Sequence, residues 1–455
     1  MEFATQEEFE KVLSQHTNIR WVDFIYSDLT GVTRGKRIPL LESSKVFKDG
    51  IQLPASALFL DCLGGITNVD LNSSFRRGYD DGDYDLTWRP IKNHIHHVPW
   101  DSEIIQCMIS MEDEQGKPSE IDPRNQLIKI IKQFEKLKLK PVVAFELEFY
   151  LFDQTRDKDG KPQLASKDSK QQVYSIEELD YFRNLLDEID SNSKKQNIPT
   201  SSMISEFSEC MLEVNLTHSD DLLYAADSAS LLRRVIAETA KKRGVKASFM
   251  PKPFLDKNGC GCHVHISLYN EKGENVFSSK TGGFSNILKQ SIAGLQRLLY
   301  ESLILFVPDR NGFRRLEPHN FVPMNKSYGY NNRSVGFRIP VSSPSNTRIE
   351  HRMSSSNANV YLVLCAILIG IMEGIQKEMN PTHFIKYKNY GGNINKNEEP
   401  IPQTIQEAVK LFESSTTLKK YLGDDYVQLY TSVKRGEEMH LQNTFIPKEE
   451  YEFYL

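Results

Sequence analysis

Pro141-Val-Val-Ala-Phe-Glu-Leu-Glu-Phe-Tyr150 has the two-residue period of a β-strand. Val143, Phe145, Leu147 and Phe149 alternate with Ala144, Glu146, Glu148 and Tyr150, so Glu146 and Glu148 project side by side from one face. Adjacent carboxylates repel unless a cation or a proton lies between them. The pair is therefore either an ordinary solvated face or part of a cation site.

Working outward, Gly259-Cys-Gly-Cys-His-Val-His-Ile-Ser-Leu268 repeats the alternation. His263, His265 and Ser267 share one face, and Val264, Ile266 and Leu268 point into a core. A zinc reading through Cys260 and Cys262 lacks a second ligand cluster with structural-zinc spacing and is disfavoured. Arg348-Ile-Glu-His-Arg-Met353 alternates again, with Arg348, Glu350 and Arg352 opposite Ile349 and Met353. Arg314, Arg315, Arg333 and Arg338 lie upstream on backbone that reads as strand-like, each offering a bidentate fork for carboxylate or phosphate. Ser205-Glu-Phe-Ser-Glu-Cys-Met-Leu-Glu-Val-Asn215 adds Glu206, Glu209 and Glu213. Together these are hard ligands for Mg²⁺ or Mn²⁺ beside arginines for phosphate and carboxylate, an inventory suited to ATP-dependent activation of a carboxylate. No Gly-x-x-x-x-Gly-Lys loop or kinase signature is present, so the nucleotide site is of another kind.

The 455 residues predict two domains of unequal size. A net charge of −5 argues against a nucleic-acid or anionic-membrane partner, and 24 Phe with 19 Tyr exclude disorder over most of the chain. The start carries no signal pattern, and the longest apolar run, Val360 to Met372, is shorter than the ~20 residues of a membrane span. Six scattered cysteines suggest no disulfide framework. A soluble cytoplasmic protein is expected. Thr5-Gln-Glu-Glu8 reads as a capping box, Trp21 to Tyr26 as β-rich, and Arg34-Gly-Lys-Arg37 as a solvated turn. The polar run Glu112 to Pro118 predicts a linker dividing residues 1–112 from 113–455. Helices are expected from Asp122-Pro123 onward, from Asp221 to Arg243, and, apolar on every side, from Asn359 to Glu378. Asp153 to Gln172 and Lys386 to Pro402 read as surface loops.

Phe145-Glu-Leu-Glu-Phe149, Ala247-Ser-Phe-Met-Pro-Lys-Pro253, Asn258-Gly-Cys-Gly-Cys-His-Val-His265, Asn332-Arg-Ser334 and Arg348-Ile-Glu-His-Arg352 resemble, in order, the successive signatures of the glutamine synthetase superfamily. The resemblance covers nearly the whole chain. Asp28-Leu-Thr-Gly-Val-Thr-Arg-Gly-Lys-Arg-Ile-Pro39, Leu53-Pro-Ala-Ser56 and Val173-Tyr174 look most like its γ-glutamylputrescine synthetase branch. The resemblance implies an α+β protein: a small N-terminal β-grasp domain, then a larger catalytic domain of antiparallel sheet and helices. It also implies a homo-oligomer of stacked rings with active sites between subunits. The implied reaction is ATP-dependent ligation of glutamate to an amine through γ-glutamyl phosphate, with two or more Mg²⁺ or Mn²⁺ ions. Carried over by position, Glu148, Glu206 and Glu213 would hold one ion, and Glu146, His263 and Glu350 the second. His265, Ser267, Arg333 and Arg338 resemble the ATP contacts; Asn258, Gly259, Arg315 and Arg352 resemble the glutamate set. Arg315, Arg333 and Arg352 would be catalytic. Glu206 and Glu213 have the wrong parity for one straight strand, so a bulge or turn is required, with Glu209 the competitor.

The departures bear on the substrate. Cys210-Met211 replaces the family's usual Gly-Gln, Cys262 its Met, Cys260 its Ser, and Gly312 and Val360 its Ser and Pro. In Pro318-His-Asn-Phe-Val-Pro323, Phe321 stands where ammonium-using members carry a glutamate, and Pro54 stands for the aspartate that helps deprotonate ammonium. The adenylylation tyrosine loop is missing around Ile394-Asn395-Lys396. The expected nucleophile is putrescine or a polyamine. Other amines, ammonium, and a catalytically silent structural or amine-sensing ring are the alternatives.

Overall fold

The computed structural model describes residues 2–66, 82–158, 160–166, 172–279, 283–317, 321–386 and 401–444. Among the described residues, five strands before the polar turn at 113–118 form one sheet. They are β1 (Trp21–Ser27), β2 (Thr33–Pro39), β3 (Ile51–Pro54), β4 (Asp85–His97) and β5 (Ile104–Met111), in the order β2-β1-β5-β4-β3. β1 and β5 pair in parallel and the remaining pairs are antiparallel. Val22 and Phe24 of β1 and Ile105 and Cys107 of β5 are fully buried. Thr5 accepts from the Glu8 amide to cap the helix Gln6–Leu13. Within the turn, Asp113 Oδ1 accepts from the amides of Gln115 and Lys117, each at 2.9 Å.

Nine strands of the described residues after that turn form a second sheet. They are β6 (Leu139–Arg156), β7 (Pro162–Leu164), β8 (Thr200–Ser205), β9 (Met211–Leu216), β10 (Val245–Ser248), β11 (Cys262–Asn270), β12 (Tyr328–Tyr330), β13 (Phe337–Ile339) and β14 (Ile349–His351). The order is β12-β13-β14-β11-β6-β9-β8, with β7 and β10 also pairing with β6. One face of this sheet packs into a continuous apolar core with the helices Pro123–Phe134, Leu222–Lys242, Asn286–Phe306 and Val360–Gln376. Pro123 occupies the first helical turn, where its missing N–H costs nothing, and Asp221 and Asn359 cap the next two predicted helices. The Asn359 side chain also donates to Asp28 O at 2.8 Å, tying the most buried helix to the end of β1. No helix among the described residues is long and apolar enough to cross a membrane.

Three local expectations are corrected. Arg34-Gly-Lys-Arg37 lies on edge strand β2 and not in a turn, because Asp28 and Asp23 draw Arg34 and Arg37 into ion pairs of 2.5 and 2.6 Å. Within Asp153–Gln172, β6 runs on to Arg156 and a hairpin returns as β7, its backbone polar groups recruited by the sheet; residues 159 and 167–171 lie outside the described set. Arg314 and Arg315 sit on the short helix Arg310–Arg315 and Arg333 in a turn, so only Arg338 of that group is on a strand. Most of the expected loop Lys386–Pro402, including 394–396, lies outside the described residues, as do Pro318, His319 and Asn320.

Candidate active site

Register converts the alternating segments into rows of facing side chains. On β6, Glu146 is opposite His263 of β11, and Glu148 opposite Glu213 of β9. On β14, Glu350 is opposite His265 of β11 and Arg338 of β13. Directly opposite residues project from the same face, so five strands deliver their polar groups to one surface. Phe145, Leu147, Val264, Ile266 and Ile349, on the other face, are fully buried. A one-residue slip would put those apolar groups in the site and the charges in the core, so the register is strongly specified.

The parity problem is resolved by a hairpin. Glu206 follows β8 and Glu213 lies on β9, with the Glu206 amide donating to Met211 O at 2.8 Å across the turn. Cys210 adopts a left-handed φ of +58° there. Glu178 clamps both ends of this turn, accepting from Ser205 Oγ at 2.5 Å and from the Cys210 amide at 2.8 Å. Sequence reasoning missed this carboxylate. Ser175-Ile-Glu-Glu178 has the spacing of a capping box, a pattern that signals only a local helix start. Glu209 points away to an ion pair with Lys257 at 2.5 Å, so the Glu206 alternative lines the cavity and Glu209 does not.

That cavity has a volume of about 300 Å³. All six carried-over metal residues line it, as do His265, Arg333 and Arg338 of the nucleotide set and Asn258, Gly259, Arg315 and Arg352 of the glutamate set. Ser267, buried further along β11, does not. Phe207, Tyr174, Asn331 and Arg348 also line it. Gly259 and Gly261 are glycines for lack of room: a Cβ at 259 would meet Pro251 O at 2.6 Å, and one at 261 would meet Arg315 Nη2 at 2.7 Å.

Among the described residues three groups have metal-ligand spacing: Glu148/Glu206/Glu213, Glu146/Glu213/His263 and Glu146/His265/Glu350. The first coincides with the carried-over set for one ion. The second set is divided, with His263 and Glu350 in different groups and His265 beside Glu350. The donors fit a hard divalent cation, since three carboxylates packed together need positive charge. Burial, then the neighbouring Glu148, pushes Glu206 up to about 8. Burial, then Glu146 and Glu148, drives Glu213 well above the usual range. Burial acts against ionisation at Glu146 too, but the facing His265 and His263 outweigh it and hold that carboxyl well below its usual range. His265 Nε2 lies 2.8 Å from Glu146.

Glu350, 1% exposed, is gripped by Arg338 at 2.5 Å and by Arg352. Burial opposes its charge, yet Arg352 and His265 bring it down to about 2. Arg315 and Arg352 are buried, Arg315 donating to Met353 O at 3.0 Å and Arg352 to Phe321 O at 3.3 Å. The Nε–H groups of Arg315, Arg338 and Arg352 are buried without a hydrogen-bond partner, donors suited to an anionic substrate. Phe321 has a left-handed φ of +54° and its ring stacks on Phe207 at 4.8 Å.

Cys260 packs against Tyr150, Phe152 and Met211, and Cys262 against the main core; both are fully buried and neither joins a metal-ligand group. Replacing both by alanine is expected to leave a folded, active protein without stoichiometric zinc, at about 1 kcal/mol per small void. Elemental analysis and turnover check this; zinc bound one-to-one in the unmodified protein and lost in the variant would overturn it.

The model of the glutamine synthetase catalytic domain family matches residues 120–454. Gamma-glutamylputrescine synthetase PuuA of Escherichia coli (strain K12) is 35% identical over 99% of this chain and 95% of its own. Glutamate–isopropylamine ligase of Pseudomonas sp is 27% identical over 94% of this chain and 93% of its own. The solved GmaS/ADP complex superimposes with a TM-score of 0.81 at 22% identity, covering 99% of both chains, which speaks to the fold.

Proposed function

The chain belongs to the glutamine synthetase family, and from that premise we propose that it joins the γ-carboxylate of glutamate to an organic amine, putrescine or a polyamine by preference, at the expense of ATP. The observation that carries the choice of nucleophile is Phe321. An ammonium-using site needs carboxylates to hold the cation and take its proton. Here an aromatic ring lines the cavity at that place in the family pattern, beside Arg352. A ring face suits an alkylammonium.

In the first step a γ-carboxylate oxygen of glutamate attacks the γ-phosphorus of ATP, and the bond to the ADP oxygen breaks. In the second, the amine nitrogen attacks the γ-carbonyl carbon, phosphate leaves with the C–O electrons, and the nitrogen loses a proton. Arg315 and Arg352, with Asn258 and Gly259, orient glutamate. Arg333 and Arg338, with His265, face the nucleotide phosphates; Ser267 completes that set in the family pattern and lies outside the cavity. Arg315, Arg333 and Arg352 stabilise charge developing on the transferred phosphoryl group. Glu148, Glu206 and Glu213 would hold one Mg²⁺ or Mn²⁺, and Glu146, His263 and Glu350, with His265 a competing donor, a second. Such ions neutralise phosphate charge when bound.

The same reading makes residues 1–112 a β-grasp domain and 113–455 the catalytic domain, supported by the division of the two sheets at the 113–118 turn and by the parallel β1–β5 pair. It also makes the protein a cytoplasmic homo-oligomer of stacked rings with sites completed by a neighbouring subunit.

Phosphate release from ATP and glutamate, measured across an amine panel, tests the proposal. Putrescine or a longer polyamine is expected to exceed ammonium in kcat/KM by at least ~100-fold, about 2.7 kcal/mol of differential transition-state binding. Comparable rates with ammonium would instead identify a glutamine synthetase. No turnover with any amine, despite tight ATP and metal binding, would identify a silent ring.

A further inference from the structure

The carboxylates and arginines described above account for the polar walls of the cavity, but not for three aromatic residues brought to it from separate segments. Phe207 sits in the β8–β9 turn, Phe321 follows the helix Arg310–Arg315, and Tyr174 precedes the helix Ile176–Tyr181. Phe207 and Phe321 stack at 4.8 Å and 26°, and both remain partly exposed. The stack is held from both sides. Phe207 adjoins Glu206 in the turn that Glu178 clamps, and the Phe321 carbonyl accepts from Arg352. Both residues thus line the same cavity as Glu206 and Arg352.

Tyr174 is 57% exposed yet fixed, its amide donating to Ser205 O at 2.8 Å beside the same turn. Tyr174 and Phe321 both hold left-handed backbone, with φ of +60° and +54°. Bulky residues avoid that region, and such strain persists where the surroundings over-determine it. Both residues line the charged cavity and give its wall apolar surface that the carboxylates and arginines do not.

We propose that Tyr174, Phe207 and Phe321 form an aromatic collar that reads the chain of the incoming amine: the stacked pair packs on the methylenes beside the reacting nitrogen, and Tyr174, where the cavity meets solvent, faces the far ammonium of a linear diamine. This rests on the amine-ligase reading and assigns its specificity to Phe207 and Tyr174 as well as to Phe321. The methylenes gain by leaving water, and the far cation by lying over a ring face.

The test compares kcat/KM for hydroxylamine, n-butylamine and 1,4-diaminobutane within each enzyme, so that a partly folded preparation cancels from the ratios. Phe207→Ala is expected to lower the butylamine-to-hydroxylamine ratio at least ~10-fold, the scale on which apolar pockets sense small groups. Phe207→Tyr should restore that ratio to within about threefold, and Phe207→Leu serves if the alanine variant fails to fold. Tyr174→Ala is expected to lower the diaminobutane-to-butylamine ratio at least ~10-fold while sparing the butylamine-to-hydroxylamine ratio. A diamine preference in the unmodified enzyme that survives both alanine substitutions would overturn the collar and leave the ligase reading standing. An unmodified enzyme that uses ammonium as well as diaminobutane would overturn both.

Discussion

Glu350→Ala abolishes metal-dependent phosphate release, with an expected fall of at least ~10³-fold, in a protein that remains folded at 25 °C. The size of the effect follows from what Glu350 touches. It shares a metal-ligand group with Glu146 and His265, and it neutralises Arg338 and Arg352 in a place almost closed to water. Removing it takes one carboxylate from the cation's ligands and leaves two guanidiniums uncompensated beside the vacated position. Both changes repel a divalent ion. Stripping the partner from a buried pair costs about 3–5 kcal/mol of stability, so Glu350→Gln, which keeps the shape and an acceptor, is the companion variant. Mn²⁺ titration, circular dichroism and phosphate release on both variants check the claim. Full turnover with either would sink the assignment of Glu350 to the metal-binding chemistry.

Arg352→Lys is expected to lower kcat on the order of 10³-fold, the upper part of the range seen when a preorganised donor to a transition state is lost. The substitution keeps the charge but not the fork. Arg352 uses one nitrogen on Glu350, a second on Phe321 O, and leaves its Nε–H buried without a partner. A lysine ammonium on a flexible stem cannot hold Glu350 and the Phe321 carbonyl while presenting a third donor in a fixed plane. Charge on the phosphoryl oxygens develops during transfer, so the loss belongs in kcat. Steady-state kinetics in glutamate and ATP separate the cases: an unchanged kcat with a raised KM would mark Arg352 as a ground-state binder of glutamate.

Much of the site was legible because strand alternation is a local property. Glu146 beside Glu148, His263 beside His265, and Glu350 flanked by Arg348 and Arg352 follow from a period of two and need no partner strand to be seen. Three of the longer helices were equally legible, since Asp122-Pro123, Asp221 with Gly244, and Asn359 mark their ends by backbone chemistry within a few residues; Asn286–Phe306 and Asp424–Thr444 were not read from the sequence. Family signatures suggested the chemical roles proposed above, which periodicity alone does not carry.

What the chain alone determined is which residues share a face, where three of the longer helices begin, and the stock of carboxylates, imidazoles and guanidiniums. Which groups meet was decided only by the tertiary structure. Register places Glu148 across from Glu213 and Glu350 across from His265 and Arg338, and it separates His263 from Glu350 in the metal-ligand groups. The hairpin, and not a straight strand, brings Glu206 to Glu213, while Lys257 draws Glu209 away. Glu178 reaches across to clamp that turn, and Phe207 meets Phe321 although far from it in the chain. The physical reason is the same in each case. A side chain's direction is set by its own backbone within two or three residues, whereas its neighbour is set by pairing between distant strands, which the burial of the opposite apolar face selects.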